Sequence, residues 1–334
     1  MLEECKMATK SDFYFICQVD QRSVLYKIST SGGKLKCHDM VLEELLRLET
    51  SRPGDIGLHY SPAWYIAHSG SILDVIPSTP DSDHYVVDVE RKSYKLQKSK
   101  RSKLIFSAVI KAGQYTVSLC NTLQDIYVLN RSNYQWRRQK AASSSIDLSR
   151  KIKISGFVDL VHDAFMVSDA STTELFLFDL KSGEWFVVEP PRDVFLQSGL
   201  LSGRCIFAEG FIYSCSDCGL IAFELIDEDN SFRLGLPILL ELSWKKICGD
   251  SRFMSFDSIC KDQILDSITF CIVQGCFRAA PSTSRHTVAS TTVQVQLKKT
   301  ARGTKEPIAV GHVDISLSFI HEEGRILTNY AFAV

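Results

Sequence analysis

Two segments of the chain superimpose without a gap, and this internal repeat is the feature that most limits the possible folds. The first covers residues 126–136 and the second covers residues 175–185, an offset of 49 residues at both ends. In each segment four apolar residues precede Asn130 or Asp179, and Trp136 or Trp185 follows that polar residue six positions later. A period of this length predicts a fold built from stacked copies of one small unit.

The apolar run of each copy predicts the arrangement of those units. Side chains of a β-strand alternate between the two faces of its sheet, so a run such as 175–178 is apolar on both faces. Both faces are buried when a small sheet lies between two neighbouring sheets, as in a β-propeller. The Asn or Asp predicts a hairpin turn, and the Trp ring is large enough to fill the wedge between twisted blades.

Weaker copies extend the repeat in both directions. Asp88 is followed by Tyr94 six positions later, and Glu224 is followed by Phe232 eight positions later. We therefore predict an all-β chain that forms a single β-propeller of four-stranded blades over residues 1–334, with six blades preferred and seven as the alternative. The firmest blades lie within 104–240. The strand at 325–332 is expected to pair with an N-terminal strand and close the ring, and residues 41–48 are expected to form a short helical insertion.

The composition limits which cellular compartments and which partners we expect for the chain. The formal net charge is −1, which gives no general attraction to nucleic acid or to anionic membranes, and no apolar run approaches the roughly 20 residues that span a bilayer. Residues 1–6 include acidic side chains and no apolar core, so we expect no secretory signal. The 11 cysteines then indicate free thiols in a reducing compartment, and we predict a location in the cytoplasm, the nucleus or both.

Motifs that resemble known chemical sites have simpler structural interpretations. Cys215 and Cys218 form a CxxC pair without the second pair that a zinc site needs, so we interpret it as a turn. The segment 249–251 is similar to a lipase nucleophile motif, but we interpret it as a turn. We interpret His162 and His312 as strand or turn residues. We therefore predict no catalytic residue, no metal site, no other cofactor-binding residue and no cofactor.

Residues 91–103 carry seven basic side chains in thirteen positions. A basic run can bind nucleic acid or act as a nuclear address. It can equally be a solvated loop between two blades, and Tyr94 is the one aromatic residue within it that could stack on a base. The loop interpretation is preferred, and nucleic acid is not expected as a partner.

The segment 178–185, followed by Pro190 and Pro191, resembles a kelch repeat, and in particular the degenerate propellers of plant F-box/kelch-type proteins. Segments 210–213 and 219–224 are similar to the later strands of such blades, and the resemblance covers about residues 60–240. The chain departs from the family where 168–169 and 216–217 hold Ser-Asp in place of the usual Gly-Gly. No F-box is recognisable ahead of the propeller. The resemblance implies a binding role for the propeller and ubiquitin-ligase components among its partners.

We predict that the chain is not an enzyme and works as a non-catalytic protein–protein interaction module, such as a substrate-recognition propeller, with a protein partner and no membrane association. One alternative is an F-box-type substrate receptor of a ubiquitin ligase. Another is a small-ligand-binding or hydrolytic propeller. Converging His, Asp or Glu side chains with perturbed pKa values at the channel mouth would favour the last alternative, whereas a lining of Ser, Val and Leu would exclude it.

Overall fold

Three hairpins of the chain repeat the same local geometry. Each predicted turn starts at a polar residue that is the last residue of a strand. That residue faces the residue five positions later across the hairpin, and these pairs are Asp88–Ser93, Asn130–Gln135 and Asp179–Glu184. In each turn the side-chain oxygen accepts a hydrogen bond from a backbone N–H, at 3.0, 2.9 and 3.0 Å respectively. The predicted role of these residues in hairpin turns is confirmed.

The same hairpins share a left-handed backbone position directly before the second strand. It is occupied by Lys92, Tyr134 and Gly183, with φ of 49°, 52° and 75°. Only glycine adopts this conformation without steric cost. At Gly183 a Cβ would also lie 2.9 Å from the carbonyl oxygen of Lys140, so glycine is favoured in the third hairpin on two grounds.

The computed structural model describes residues 13–19, 22–28, 42–49, 64–69, 71–77, 84–97, 106–160, 163–191, 200–216, 219–228, 231–240, 253–262, 266–280, 283–300, 305–310, 314–320 and 326–333. These residues form 26 strands and no helix, which confirms the predicted all-β class. None of them forms a helix that is long and apolar enough to cross a membrane. The chain divides into two compact units, residues 1–58 with 240–334 (unit 1) and residues 59–239 (unit 2).

Unit 2 contains four successive four-stranded antiparallel meanders, which we call blades B1 to B4. B1 contains β4 (Trp64–Ser69), β5 (Ile72–Pro77), β6 (His84–Asp88) and β7 (Ser93–Gln97). B2 contains β8 (Ala108–Ala112), β9 (Tyr115–Leu119), β10 (Ile126–Asn130) and β11 (Gln135–Gln139). B3 contains β12 (Ile154–Leu160), β13 (Ala164–Asp169), β14 (Leu175–Asp179) and β15 (Glu184–Glu189). B4 contains β16 (Gly203–Ala208), β17 (Phe211–Ser216), β18 (Gly219–Glu228) and β19 (Ser231–Leu234), and β20 (Ile238–Leu240) follows it.

The first strands of consecutive blades lie side by side. β4 contacts β8, β8 contacts β12, and β12 pairs in parallel with β16. The outer strands β15 and β19 also pair in parallel, through Val188–Phe232 and Glu189–Arg233. A succession of four-stranded meanders with adjacent first strands is the blade pattern of a β-propeller.

The strand Leu175–Asp179 is buried on both faces, as its apolar run predicts. Phe176 and Phe178 pack in one core cluster with residues of B2, whereas Leu175 and Leu177 pack in another with residues of B4. Each of these four side chains is buried. B3 is therefore enclosed between its two neighbouring blades, and the prediction of double burial is confirmed.

Trp136 and Trp185 occupy equivalent positions. Trp136 faces Leu129 across its hairpin, and Trp185 faces Phe178 in the same register. Each packs toward the preceding blade, Trp136 with residues of B1 and Trp185 with residues of B2. Tyr94 holds this register in B1, opposite Val87, but it is 48% exposed and fills no wedge.

One local prediction is wrong. Residues 41–48 do not form a helix, because Leu42–Glu49 is β3, paired with β2. A register shift between Leu25 and Tyr26 leaves Leu45 as an extra residue, and this bulge breaks the two-residue alternation that would have marked a strand. In the fourth blade the strand continues past Glu224, since β18 ends at Glu228, which faces Ser231 across the turn.

Unit 1 contains two further sheets. One has the order β26-β1-β2-β3, with β1 at Phe13–Val19, β2 at Arg22–Ile28 and β26 at Ile326–Ala333. The other contains β21 (Phe253–Asp262), β22 (Ser267–Ala280), β23 (Thr283–Lys299), β24 (Lys305–Ala309) and β25 (Asp314–Ile320). The last strand pairs antiparallel with β1, Phe13 facing Ala333. Closure of one ring over residues 1–334 stays a prediction.

Candidate functional site

Four charged side chains from three blades of unit 2 gather around one lysine, and we call the five residues the inner-strand cluster. Asp74 lies in β5 of B1 and Lys111 in β8 of B2. Arg131 directly follows β10, Asp159 lies in β12 of B3, and Asp163 directly precedes β13. The other four members act electrostatically on the Lys111 amine.

Asp74 and Arg131 form the fixed part of the cluster. Nη2 of Arg131 donates to Oδ2 of Asp74 at 2.6 Å, and the Asp74 side chain is only 1% exposed. Oγ1 of Thr116 lies 3.5 Å from the same carboxylate oxygen and 3.4 Å from the guanidinium. Burial raises the pKa of Asp74, and Arg131 opposes that rise.

Lys111 is a half-buried cation with an unsatisfied head group. It faces Thr116 across the β8–β9 hairpin. Its Nζ atom is enclosed and has no hydrogen-bond acceptor among the described residues. Burial and the neighbouring Arg131 lower the pKa of Lys111 to about 8, while Asp159, Asp74 and Asp163 act in the opposite direction.

Asp159 and Asp163 approach the β8–β9 turn from B3. Oδ1 of Asp159 accepts a hydrogen bond of 3.2 Å from the backbone N–H of Gly113. Gly113 has a φ of 55°, and a Cβ at this position would overlap Oδ1 of Asp163. Glycine at this turn therefore leaves room for the Asp163 carboxylate next to the Gly113 N–H that binds Asp159. Burial raises the pKa of Asp159 to about 6, and the Gly113 hydrogen bond and the charge of Lys111 partly counter that rise.

An aromatic pair lies beside the Asp74–Arg131 ion pair. The rings of His84 and Tyr134 have centroids 5.0 Å apart, and His84 is buried. Burial raises the pKa of Tyr134, and the charge of Asp74 adds to this rise. Tyr134 has the positive φ that Gly183 has in the next hairpin, where glycine adopts it without strain. For a residue with a side chain this backbone conformation costs roughly 1–2 kcal/mol.

Sequence reasoning predicted none of these residues as a site. A weak signal was present, because Asp74 and Lys111 each lie between apolar residues of a strand, Leu73 and Val75 in β5 and Ile110 and Ala112 in β8. A charged side chain in such a place is expected to have a specific partner. Which residues meet there depends on how the blades pack, and that is not encoded in any local motif.

The motifs weighed from sequence do not form a site among the described residues. Cys215 is buried in β17, and Cys218 lies outside the described residues. Residues 249–251, His162 and His312 also lie outside them. No group of His, Cys, Asp and Glu in the described ranges could hold a metal ion. The basic run is only partly a loop, because Ser93–Gln97 is β7 and residues 98–103 lie outside the described part.

Comparisons with known proteins match structures alone. No family model and no curated protein matches the chain. A Bacteroides uniformis protein, provisionally named a 6-phosphogluconolactonase, is 10% identical and covers 93% of this chain and 100% of its own, with a TM-score of 0.44. YjhT is 10% identical, with a TM-score of 0.49 and coverages of 92% and 99%. Apo AztD from Citrobacter koseri is 12% identical, with a TM-score of 0.44 and coverages of 97% and 99%.

The prediction that the chain is a non-catalytic interaction module, and not an enzyme, is contradicted. Two of the similar structures, from Bacteroides uniformis and Bacteroides fragilis, carry the provisional name of an enzyme. Strands of B1, B2 and B3 also bring Asp74, Lys111 and Asp159 together, and the pKa of each is shifted. The sequence analysis assigned converging His, Asp or Glu side chains with perturbed pKa values at the channel mouth to a ligand-binding or hydrolytic propeller, and Asp74 and Asp159 are carboxylates with such pKa values.

Proposed function

We propose that unit 2 binds a small molecule at the inner-strand cluster and hydrolyses an ester or lactone bond in it. The observation that supports this most is the convergence on Lys111 of carboxylates from B1 and B3. An ammonium group without an acceptor among the described residues can polarise a carbonyl oxygen, and a nearby carboxylate can accept a proton from water.

The proposed reaction has a water molecule as its nucleophile. The Asp159 carboxylate takes a proton from the water while its oxygen bonds to the carbonyl carbon, and the carbonyl electron pair moves to the oxygen. The Lys111 ammonium stabilises that negative charge. When the intermediate collapses, the bond to the leaving alcohol oxygen breaks and Asp159 returns the proton to that oxygen. The products are an acid and an alcohol, which a lactone holds within one molecule.

The environment of both groups suits this division of roles. A general base works best when its pKa lies just below the working pH, and the burial that raises the pKa of Asp159 to about 6 has this effect. Lys111, with its pKa lowered to about 8, is still mostly protonated near neutral pH. The buried Asp74–Arg131 ion pair holds B1 against B2 beside these groups. The hydrogen bonds of this pair among the described residues join the two side chains to each other and to Thr116, so the pair is a positioning element.

The proposal is tested by removing each reacting group separately. We expect Asp159→Asn to lower kcat for glucono-1,5-lactone or 4-nitrophenyl acetate by at least about 100-fold, because the general base is lost. Lys111→Met should lower it as well, because the developing oxyanion loses its cation. Matched controls are Asp227→Asn and Lys140→Met, which replace exposed residues of unit 2. Absence of hydrolysis in the native chain, or equal activity in all five proteins, would overturn the proposal.

We also propose that the fold is a kelch-like propeller of six blades. Six strand groups among the described residues support this number: four four-stranded meanders in unit 2, and one four-stranded and one five-stranded sheet in unit 1. Resemblance to plant F-box/kelch-type proteins, an unidentified protein partner, ubiquitin-ligase components as partners, and location in the cytoplasm or nucleus stay predictions.

A further inference from the structure

We propose that the last strand of B1, β7, binds an extended peptide of a partner protein along its open edge, and that this peptide alternates acidic and apolar residues. The peptide would form a fifth strand of the blade. No residue of β7 belongs to the inner-strand cluster, so this binding surface goes beyond the proposed hydrolysis and does not depend on it.

The edge of β7 that faces away from β6 has no partner among the described strands. β7 is the last strand of its sheet, in the order β4-β5-β6-β7. It contains no proline, and its register with β6 continues without a bulge from the pair Asp88–Ser93 to the pair His84–Gln97. Prolines and bulges are two of the features that prevent an edge strand from accepting another strand. The backbone of β7 can therefore pair with an added strand.

Two large apolar side chains of β7 are exposed on one face of the strand. Tyr94 is 48% exposed and Leu96 is 51% exposed, and their spacing of two residues places both on the same face. Val187 holds the position of Leu96 in B3 and is 44% exposed, but there β15 already pairs with β19. Among these two blades, β7 alone combines exposed apolar side chains with an open edge. A strand with apolar residues at alternate positions would cover part of both side chains.

The charge of β7 and of the sequence around it favours an acidic partner. Lys95 is exposed on the other face of β7, opposite Val86. Residues 91–103 contain seven basic and no acidic side chains, although the net charge of the whole chain is −1. A second copy of the chain paired at this edge would bring two such basic segments together, and they would repel each other. The carboxylates of an acidic peptide would instead be attracted.

A labelled peptide of four Glu-Val repeats tests the proposal, with its binding to the full chain followed by fluorescence anisotropy. We expect Leu96→Ser to raise Kd about fivefold, because an apolar contact is lost. The matched control Val187→Ser should leave Kd unchanged, since that strand is already paired. Lys95→Glu should also raise Kd about fivefold, whereas Arg137→Glu, at the equivalent position of β11, should change it by less than about twofold.

Four results would overturn the inference. The first is no binding of the Glu-Val peptide, or binding that neither Leu96→Ser nor Lys95→Glu weakens. The second is equal affinity for a peptide of four Lys-Val repeats. The third is equally tight binding of a single-stranded oligothymidine, which would show that the basic segment attracts any polyanion. The fourth is a dimer in sedimentation experiments that Leu96→Ser dissociates, which would show that the edge holds a second copy of the chain. Asp159→Asn should bind the peptide as the native chain does, whatever its effect on hydrolysis.

Discussion

At the scale of single residues, two tryptophans at equivalent hairpin positions differ in burial and in hydrogen bonding. Trp185 is 2% exposed, and its Nε1 donates to the carbonyl oxygen of Leu123 at 2.8 Å. Trp136 is only partly buried, packs on Phe106 with ring centroids 4.9 Å apart, and its Nε1 has no acceptor among the described residues. The same sequence position therefore contributes unequally to stability in the two blades.

We expect Trp185→Ala to lower the free energy of unfolding by about 3–5 kcal/mol, because a buried indole and its hydrogen bond are lost. Trp136→Ala should cost less, since part of that ring is already in solvent. Trp185→Phe separates the packing contribution from the hydrogen bond to Leu123. Urea unfolding of the three variants measures these differences. An equal or larger loss for Trp136→Ala would contradict the unequal burial.

At the scale of elements, Asp169 explains a departure from the kelch pattern. It stands at the end of β13, where a glycine pair is expected, and its side chain is buried. Its Oδ1 accepts from the backbone N–H groups of Ser171 and Lys153, and its Oδ2 pairs with Arg150 at 2.9 Å. The carboxylate thus organises the β13–β14 turn that glycines would otherwise form.

Asp169 gives a test of stability against pH. Burial alone would raise the pKa of Asp169, but the hydrogen bonds from Ser171, Arg150 and Lys153 outweigh it and lower the pKa to about 2. Because the folded-state pKa is depressed, this stabilisation is present above the ordinary pKa near 3.8 and is lost as the pH falls toward 2. Asp169→Asn should cost about 2 kcal/mol at neutral pH and much less near pH 2.

The matched control for Asp169 is Asp125→Asn. Asp125 makes a surface ion pair of 3.1 Å with Arg138, and such pairs contribute roughly 0–1 kcal/mol. Thermal unfolding across the acid range compares the two variants. A loss for Asp169→Asn that stays constant down to pH 2 would show that the carboxylate charge does not stabilise the turn.

The sequence predicts an element where its pattern is local and regular. The hairpins at Asp88, Asn130 and Asp179 were predictable because a polar turn residue follows an apolar strand at fixed spacing. The strand β3 was not predictable, because the extra residue Leu45 gives this bulged strand the apolar spacing of a helix. The copy at Glu224 departs from the hairpin spacing because β18 continues with Leu225 and Ile226, and no turn residue follows Glu224 directly.

At the scale of the molecule, the candidate site exists only when blades pack together. Asp74, Lys111 and Asp159 are separated by tens of residues and come from B1, B2 and B3. No motif links them, so sequence reasoning could identify the blades but not the site that three of them form together. Their meeting depends on the contacts of β8 with β4 and with β12. Variants that disturb these contacts should therefore impair the site even when they lie outside it.

The dependence of hydrolysis on pH tests the account most directly. With glucono-1,5-lactone or 4-nitrophenyl acetate as substrate, kcat/KM should rise as Asp159 deprotonates near pH 6 and fall as Lys111 deprotonates near pH 8. Asp159→Asn should remove the acid limb of this profile, and Lys111→Met the basic limb. A flat profile between about pH 5 and pH 9, or an acid limb that persists in Asp159→Asn, would contradict the proposed roles of these two residues.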